Sequence, residues 1–148
     1  MKKPIAASRD AYRYFLPITT RWMDNDVYGH VNNAVYYSYF DTIVNEYLVR
    51  KGVLDFERGP TVGLVVETQC NYFSSIAFPD RIEAGLRVTR HGTSSVRYEI
   101  GLFREGEQEA VAQGHFVHVY VDRATRRPLP LTEAMRAVLA PLVVNAET

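Results

Sequence analysis

A chain of 148 residues with 17 Lys and Arg against 17 Asp and Glu carries no net charge, so no global field draws it to nucleic acid or an anionic membrane. At this length one domain spanning residues 1–148 can bury roughly two-thirds of its unfolded surface, and no second domain is needed. The single cysteine, Cys70, excludes an intramolecular disulfide, argues against a cysteine-based zinc cluster, and points to a reducing, cytoplasmic setting.

The first residues, MKKPIAASRDAYRYFL, have no apolar run of the signal-peptide kind, and no stretch of the chain approaches the ~18 apolar residues of a membrane span. They are expected to form a short frayed leader. From Tyr12 to Trp22 the residues alternate, with Tyr12, Tyr14, Leu16, Ile18, Thr20 and Trp22 on one side of a predicted first strand. Pro17 removes a ladder donor and places that strand at an edge or near its own start.

A polar loop follows, holding Asp24, Asn25, Asp26, Tyr28, Gly29, His30, Asn32 and Asn33. These residue types serve a tight turn and a helix cap, and they also serve chemistry. Beyond the loop, Val35, Tyr36, Tyr39, Phe40, Ile43, Val44, Tyr47 and Leu48 recur at the spacing of one buried helical stripe. The pattern predicts a helix of about 18 residues from Ala34 to Lys51, a rod of roughly 27 Å. Asn32 or Asn33 can cap it, and Gly52 suits its end.

Four further strands are predicted. The second opens at Pro60, with Val62, Leu64, Val66, Thr68, Cys70 and Tyr72 on one face and Val65, Glu67, Gln69 and Asn71 on the other. SSIAFPD reads as a turn, and a third strand carries Ile82, Ala84, Leu86 and Val88. The residues His91-Gly92-Thr93-Ser94 connect it to a fourth, with Val96, Tyr98, Ile100 and Leu102 on one face. Drawn this way, the hairpin sets Arg87 opposite Arg97, a repulsive pair unless solvated or shared with an anion. The last strand, Ala110 to Val121, places His115 and His118 on opposite faces, so the two cannot share a metal from that strand alone. A short terminal helix is capped by Thr132 and turns Met135, Val138, Leu139 and Leu142 inward. Alternating strands joined by short turns, plus one long apolar helix, give an α+β fold in which the helix covers one face of an antiparallel sheet.

The run Asp26-Val27-Tyr28-Gly29-His30-Val31-Asn32-Asn33-Ala34-Val35-Tyr36-Tyr37, followed by Phe40-Asp41, resembles the signature of hotdog-fold acyl-CoA thioesterases of the 4-hydroxybenzoyl-CoA thioesterase type. Its HVNN segment is also similar to that of fatty acyl-ACP thioesterases. The resemblance implies a hotdog fold, a five-stranded antiparallel sheet wrapped around one long helix. It also implies a homodimer or homotetramer with active sites at the subunit interface. Asp26 matches the family's catalytic aspartate, as general base or nucleophile, with loop bracing as its alternative role. The backbone amide of Asn33, at the helix start, would polarise the thioester carbonyl. His30 would position water or the carbonyl, or hold the loop; Asp24 is expected to support the loop, Asn32 to cap or brace it, and Tyr28 and Gly29 to shape it against substrate.

An acyl-CoA substrate brings phosphates, for which Arg90, His91, Ser94 and Ser95 at the third turn are candidates, the competing reading being a solvated sheet face. Arg123, Arg126 and Arg127 form a second basic cluster without an assignment. Tyr36, Tyr39 and Tyr47 either line an acyl tunnel or are core. Neither metal nor organic cofactor is expected, since no convergent ligands stand at recognisable spacing, and a thiol of pKa near ~8.5 leaves with little help from a general acid. The expected reaction is hydrolysis of an acyl-CoA to a free acid and coenzyme A. An acyl-ACP substrate and a non-catalytic acyl-CoA-binding module are the alternatives.

Overall fold

The structure, a computed structural model, describes residues 3–144. Its sheet has five antiparallel strands in the order β1-β3-β4-β5-β2, comprising β1 (Tyr14–Thr19), β2 (Thr61–Tyr72), β3 (Arg81–His91), β4 (Ser95–Arg104) and β5 (Ala112–Asp122). Helix α1 (Asn33–Arg50) has 18 residues and packs on one face, and a short helix α2 (Glu133–Leu139) follows β5. Pro17 lies on an edge strand, as its missing donor requires.

The apolar stripe of α1 forms the core with the inward side chains of the sheet. Phe40, Ile43 and Leu48 are fully buried against a layer that includes Leu86, Tyr98, Ile100 and Phe116. Each such side chain stabilises the fold by about 1.5–3 kcal/mol through burial. The Asn32 side chain accepts from the Ala34 amide and caps α1, while Thr132 accepts from the Met135 amide and caps α2. Met135, Leu139 and Leu142 turn inward as their spacing predicts.

Five expectations are corrected. β1 ends at Thr19, and Trp22 begins a short 3-10 turn with its indole 79% exposed. Tyr12 joins Phe103 and Ala110 in a second, smaller cluster on the outer sheet face. Its ring lies over Gly101, where a Cβ would come within 2.6 Å of it, so only glycine admits the ring there. The leader is docked from Ile5 onward: Gln113 Nε2 donates to Ile5 O, the Ala7 amide donates to Gln113 Oε1, and Ser8 bridges to Glu109. Met1 and Lys2 of that leader lie outside the described residues.

The other two corrections come from bulges. In β2 the register shifts between Val65 and Glu67, so Gly63 and Val65 share a face with Thr68, Cys70 and Tyr72, while Val62 and Leu64 turn outward. In β3 a shift between Val88 and Arg90 sets Arg87 opposite Glu99 and Arg90 opposite Arg97. Arg87 therefore faces a carboxylate, and its Nη2 lies 2.7 Å from Glu99 Oε1.

Candidate active site

The loop between β1 and α1 is pinned by a buried carboxylate. Asp24 is 1% exposed and accepts from the Arg21 amide at 2.9 Å, from Arg21 Nε at 3.0 Å and from the Tyr39 hydroxyl at 2.6 Å. Burial pushes its pKa up, but the bonds from Tyr39 and Arg21 outweigh that and hold it below the usual carboxylate range. With its oxygens so engaged, Asp24 braces the loop. Two further ties complete the frame: the Asn32 amide donates to Asp24 O, and the Val31 amide donates to Ile76 O.

Asp26 sits two residues on, half-buried. Its Oδ1 accepts from the Tyr28 amide at 2.9 Å, its own amide donates to His30 O, and Gly29 donates back to its carbonyl. Gly29 has φ +81°, a left-handed conformation that a side chain resists, so the turn depends on glycine. Asp26 Oδ2 accepts from no group among the described residues.

A cleft of about 450 Å³ opens beside this turn, lined by Asp26, Tyr28, His30, Asn33, Tyr36 and Tyr72, with Val31 and residues 73–75 completing it. The loop and α1 thus bring together Asp26, Tyr28, His30 and Asn33. Asn32 and Gly29 shape the cleft from behind, one as the helix cap and the other as the turn. Tyr28 stands 83% exposed at its rim. The Asn33 amide, first of the helix, donates to no group among the described residues. Tyr72 Oη donates to Asn33 O at 3.0 Å and steadies that first turn.

Sequence reading missed Tyr72, Ser74 and Ser75 as lining residues. Tyr72 ends β2 on the inward face, a signal present in the alternation, whereas Ser74 and Ser75 looked like an ordinary turn. Tyr36 is a wall of the cleft and core at once, its ring 4.9 Å from that of Tyr72 and at a steep angle to it. Cys70, on the same face of β2, has its thiol pushed up to about 11 by burial and stays protonated at neutral pH, which removes it as a nucleophile.

Arg90, His91, Ser94 and Ser95 lie elsewhere. The cleft adjoins the Arg81 end of β3 and the hairpin its His91 end, and eleven residues at roughly 3.3 Å each separate the two. At the hairpin, Arg136 of α2 donates to His91 Nδ1 and to Gly92 O. Among the described residues no group of His, Cys, Asp and Glu is placed to hold a metal ion, and no helix is long and apolar enough to cross a membrane.

The sheet and helix that carry this cleft are those of the hotdog thioesterases, as solved structures show. The chain is similar to the PA5185 protein of Pseudomonas aeruginosa strain PAO1, at 52% identity and TM-score 0.94, over 97% of this chain and 100% of that one. It is also similar in fold to Slr0204 of Synechocystis, a 1,4-dihydroxy-2-naphthoyl-CoA thioesterase, at 15% identity and TM-score 0.78, over 85% and 94% of the two chains. Among curated proteins it is similar to YsmA of Bacillus subtilis strain 168, a protein described as uncharacterized, at 22% identity over 92% of this chain and 91% of that one. Residues 20–139 match the sequence pattern of the thioesterase-like superfamily. The chain belongs to that superfamily and is a thioester hydrolase.

Proposed function

We propose that the protein is an acyl-CoA thioesterase in which Asp26 acts as general base on water and the Asn33 amide holds the oxyanion. The observation that carries this reading is the pairing, in one open cleft, of a carboxylate oxygen and a helix-start amide that both lack a partner among the described residues. Water bound between Asp26 and the thioester carbon gives its proton to Oδ2 as its oxygen attacks. The carbonyl oxygen gains charge and accepts from the Asn33 N–H, which the positive end of α1 reinforces. The tetrahedral species collapses, the C–S bond breaks, and the departing thiolate takes the proton back from Asp26. His30, at the same cleft, orients the water or the carbonyl, since neutral imidazole both donates and accepts.

The active unit in this reading is a homodimer of single-domain subunits, and the β2 edge supports it. β2 is a twelve-residue edge strand, and Leu64, Val65 and Val66 are exposed along it. Antiparallel pairing of two such edges sets the Tyr72 end of one copy against the Thr61 end of the other. The Thr61 end lies beside Asp122 and, through the Tyr120 amide bonded to Ser94 O, beside the β3–β4 hairpin. A second copy would thereby bring its own Arg90, His91, Ser94 and Ser95 toward the open cleft, where coenzyme A phosphates need donors. The proposed setting is the cytoplasm, where coenzyme A thioesters are available to a single-cysteine enzyme.

The aromatic walls Tyr36, Tyr72 and Phe73 suit a flat acyl group, and Slr0204 acts on an aromatic acyl-CoA. A thiol-release assay over short, long and aromatic acyl-CoAs tests the reading. Turnover highest with an aromatic acyl group supports it. Thioester binding without turnover contradicts it.

A further inference from the structure

A second concavity lies on the outer sheet face, away from α1 and the catalytic loop. It encloses about 140 Å³, below the ~300 Å³ at which drug-sized sites begin, so any occupant has few atoms. Its chemistry is unusual for a sheet surface. Arg87 spends Nε and Nη2 on Glu99 Oε1 and Nη1 on the Ala11 carbonyl. Arg97 gives Nε to Glu99 Oε2 and Nη2 to His115 Nδ1, which leaves Nη1 without a partner among the described residues.

Because His115 Nδ1 accepts from Arg97, its proton sits on Nε2 and points to Glu67 Oε1 at 2.7 Å. Glu67 stands behind the ring, largely exposed and outside the lining. Two guanidiniums, Arg87 and Arg97, thus share one carboxylate, Glu99, inside the pocket, a formal excess of one positive charge in its lining.

Tyr12 supplies the second observation. It is 6% exposed, lines the pocket, and carries the Arg87 guanidinium over its ring at 5.1 Å from the centroid. Its hydroxyl meets no hydrogen-bond partner among the described residues and is not sealed from solvent, so it is free to bond to an occupant of the concavity. The side-chain amides of Gln69 and Asn71 on β2 are likewise without partners among the described residues and line the same concavity.

We propose that this pocket is a binding site for a small carboxylate, separate from the catalytic cleft. A monoanion balances the leftover charge, its planar edge accepts from Arg97 Nη1 and Tyr12 Oη, and the two amides close around it. A doubly charged phosphate would leave a negative charge unbalanced. The site depends on nothing assigned to Asp26 or Asn33.

The test is a titration of the full chain with sodium acetate at constant ionic strength, followed by ¹H–¹⁵N correlation spectra that include side-chain amides. The expected result is saturable shifts of the Gln69 and Asn71 side-chain amides and the Gly114 backbone amide. Tyr12→Phe, which keeps the ring over Gly101, should weaken the midpoint roughly tenfold. Arg97→Gln should abolish saturation. The proposal is overturned if the shifts are absent or fail to saturate, if Tyr12→Phe binds acetate like the parent, or if chloride or inorganic phosphate produces the same shifts at the same concentration.

Discussion

The Tyr39 hydroxyl donates to Asp24 Oδ2 at 2.6 Å, joining the middle of α1 to the loop that precedes it. Since a hydrogen bond to a buried charged group is worth about 1.5–3 kcal/mol, Tyr39→Phe should lower unfolding stability by about 2 kcal/mol in urea titrations. The loop that carries Asp26 would lose one of its ties, so kcat should fall several-fold with KM little changed. An unchanged midpoint would show that the bond stabilises nothing.

Asn33 occupies the first position of α1, where proline is tolerated because that amide makes no helical bond. Asn32, with φ −62° and ψ 139°, already has the extended backbone that a following proline demands. Asn33→Pro therefore deletes the proposed oxyanion donor while leaving the helix intact. Circular dichroism should be unaltered and kcat should drop by about 10²–10³-fold. Full activity in a folded Asn33→Pro protein would remove the amide from the mechanism.

His118 is 4% exposed among Tyr98, Phe116 and Tyr120, and its Nε2 has no partner among the described residues. Burial lowers its pKa from 6.5 to about 4, so the unfolded chain binds a proton that the folded chain refuses. Stability is present above pH 6.5 and is lost as pH falls toward 4, by about 3 kcal/mol at the lower limit. The carboxylates held low, such as Glu99 and Asp24, lose their contributions only below about pH 4.5. Between pH 6.5 and 4.5 the melting temperature should therefore fall in the parent and stay nearly level in His118→Phe. Parallel slopes would show that the imidazole is not the cause.

Val66 lies at the bulge in the middle of β2, 61% exposed. If two copies pair along this edge, the two Val66 residues come close to the symmetry axis, and Val66→Lys sets like charges against each other. Light scattering should show a dimer for the parent and a monomer for Val66→Lys, with lower activity in the monomer. A monomeric parent with full activity would contradict the dimeric reading.

Much of this was written plainly in the chain. The stripe from Val35 to Leu48 fixes α1 because each of its large apolar residues must leave water together. Val96, Tyr98, Ile100 and Leu102 likewise define the inner face of β4. The bulges were not legible: no residue near Val65 or Val88 marks an extra position, and each one reverses the faces that follow. Tyr12 was misplaced for a related reason, since the glycines at 85 and 101 that receive its ring declare themselves only once β3 and β4 are paired. In the cleft, the loop residues were readable as a cluster because they are contiguous. Tyr72, Ser74 and Ser75 arrive from a distant part of the chain, and the hairpin residues Arg90 to Ser95 are carried away from it by the length of β3.

The most direct measurement is single-turnover hydrolysis of an acyl-CoA by Asp26→Asn, with substrate binding measured on the same preparation. Asparagine preserves the oxygen that accepts from the Tyr28 amide, so the loop should hold and the thioester should bind as it does to the parent. The chemical rate is predicted to fall by about 10²–10⁴-fold, the loss of a general base. Hydrolysis at close to the parental rate by a folded, substrate-bound Asp26→Asn protein would contradict the account.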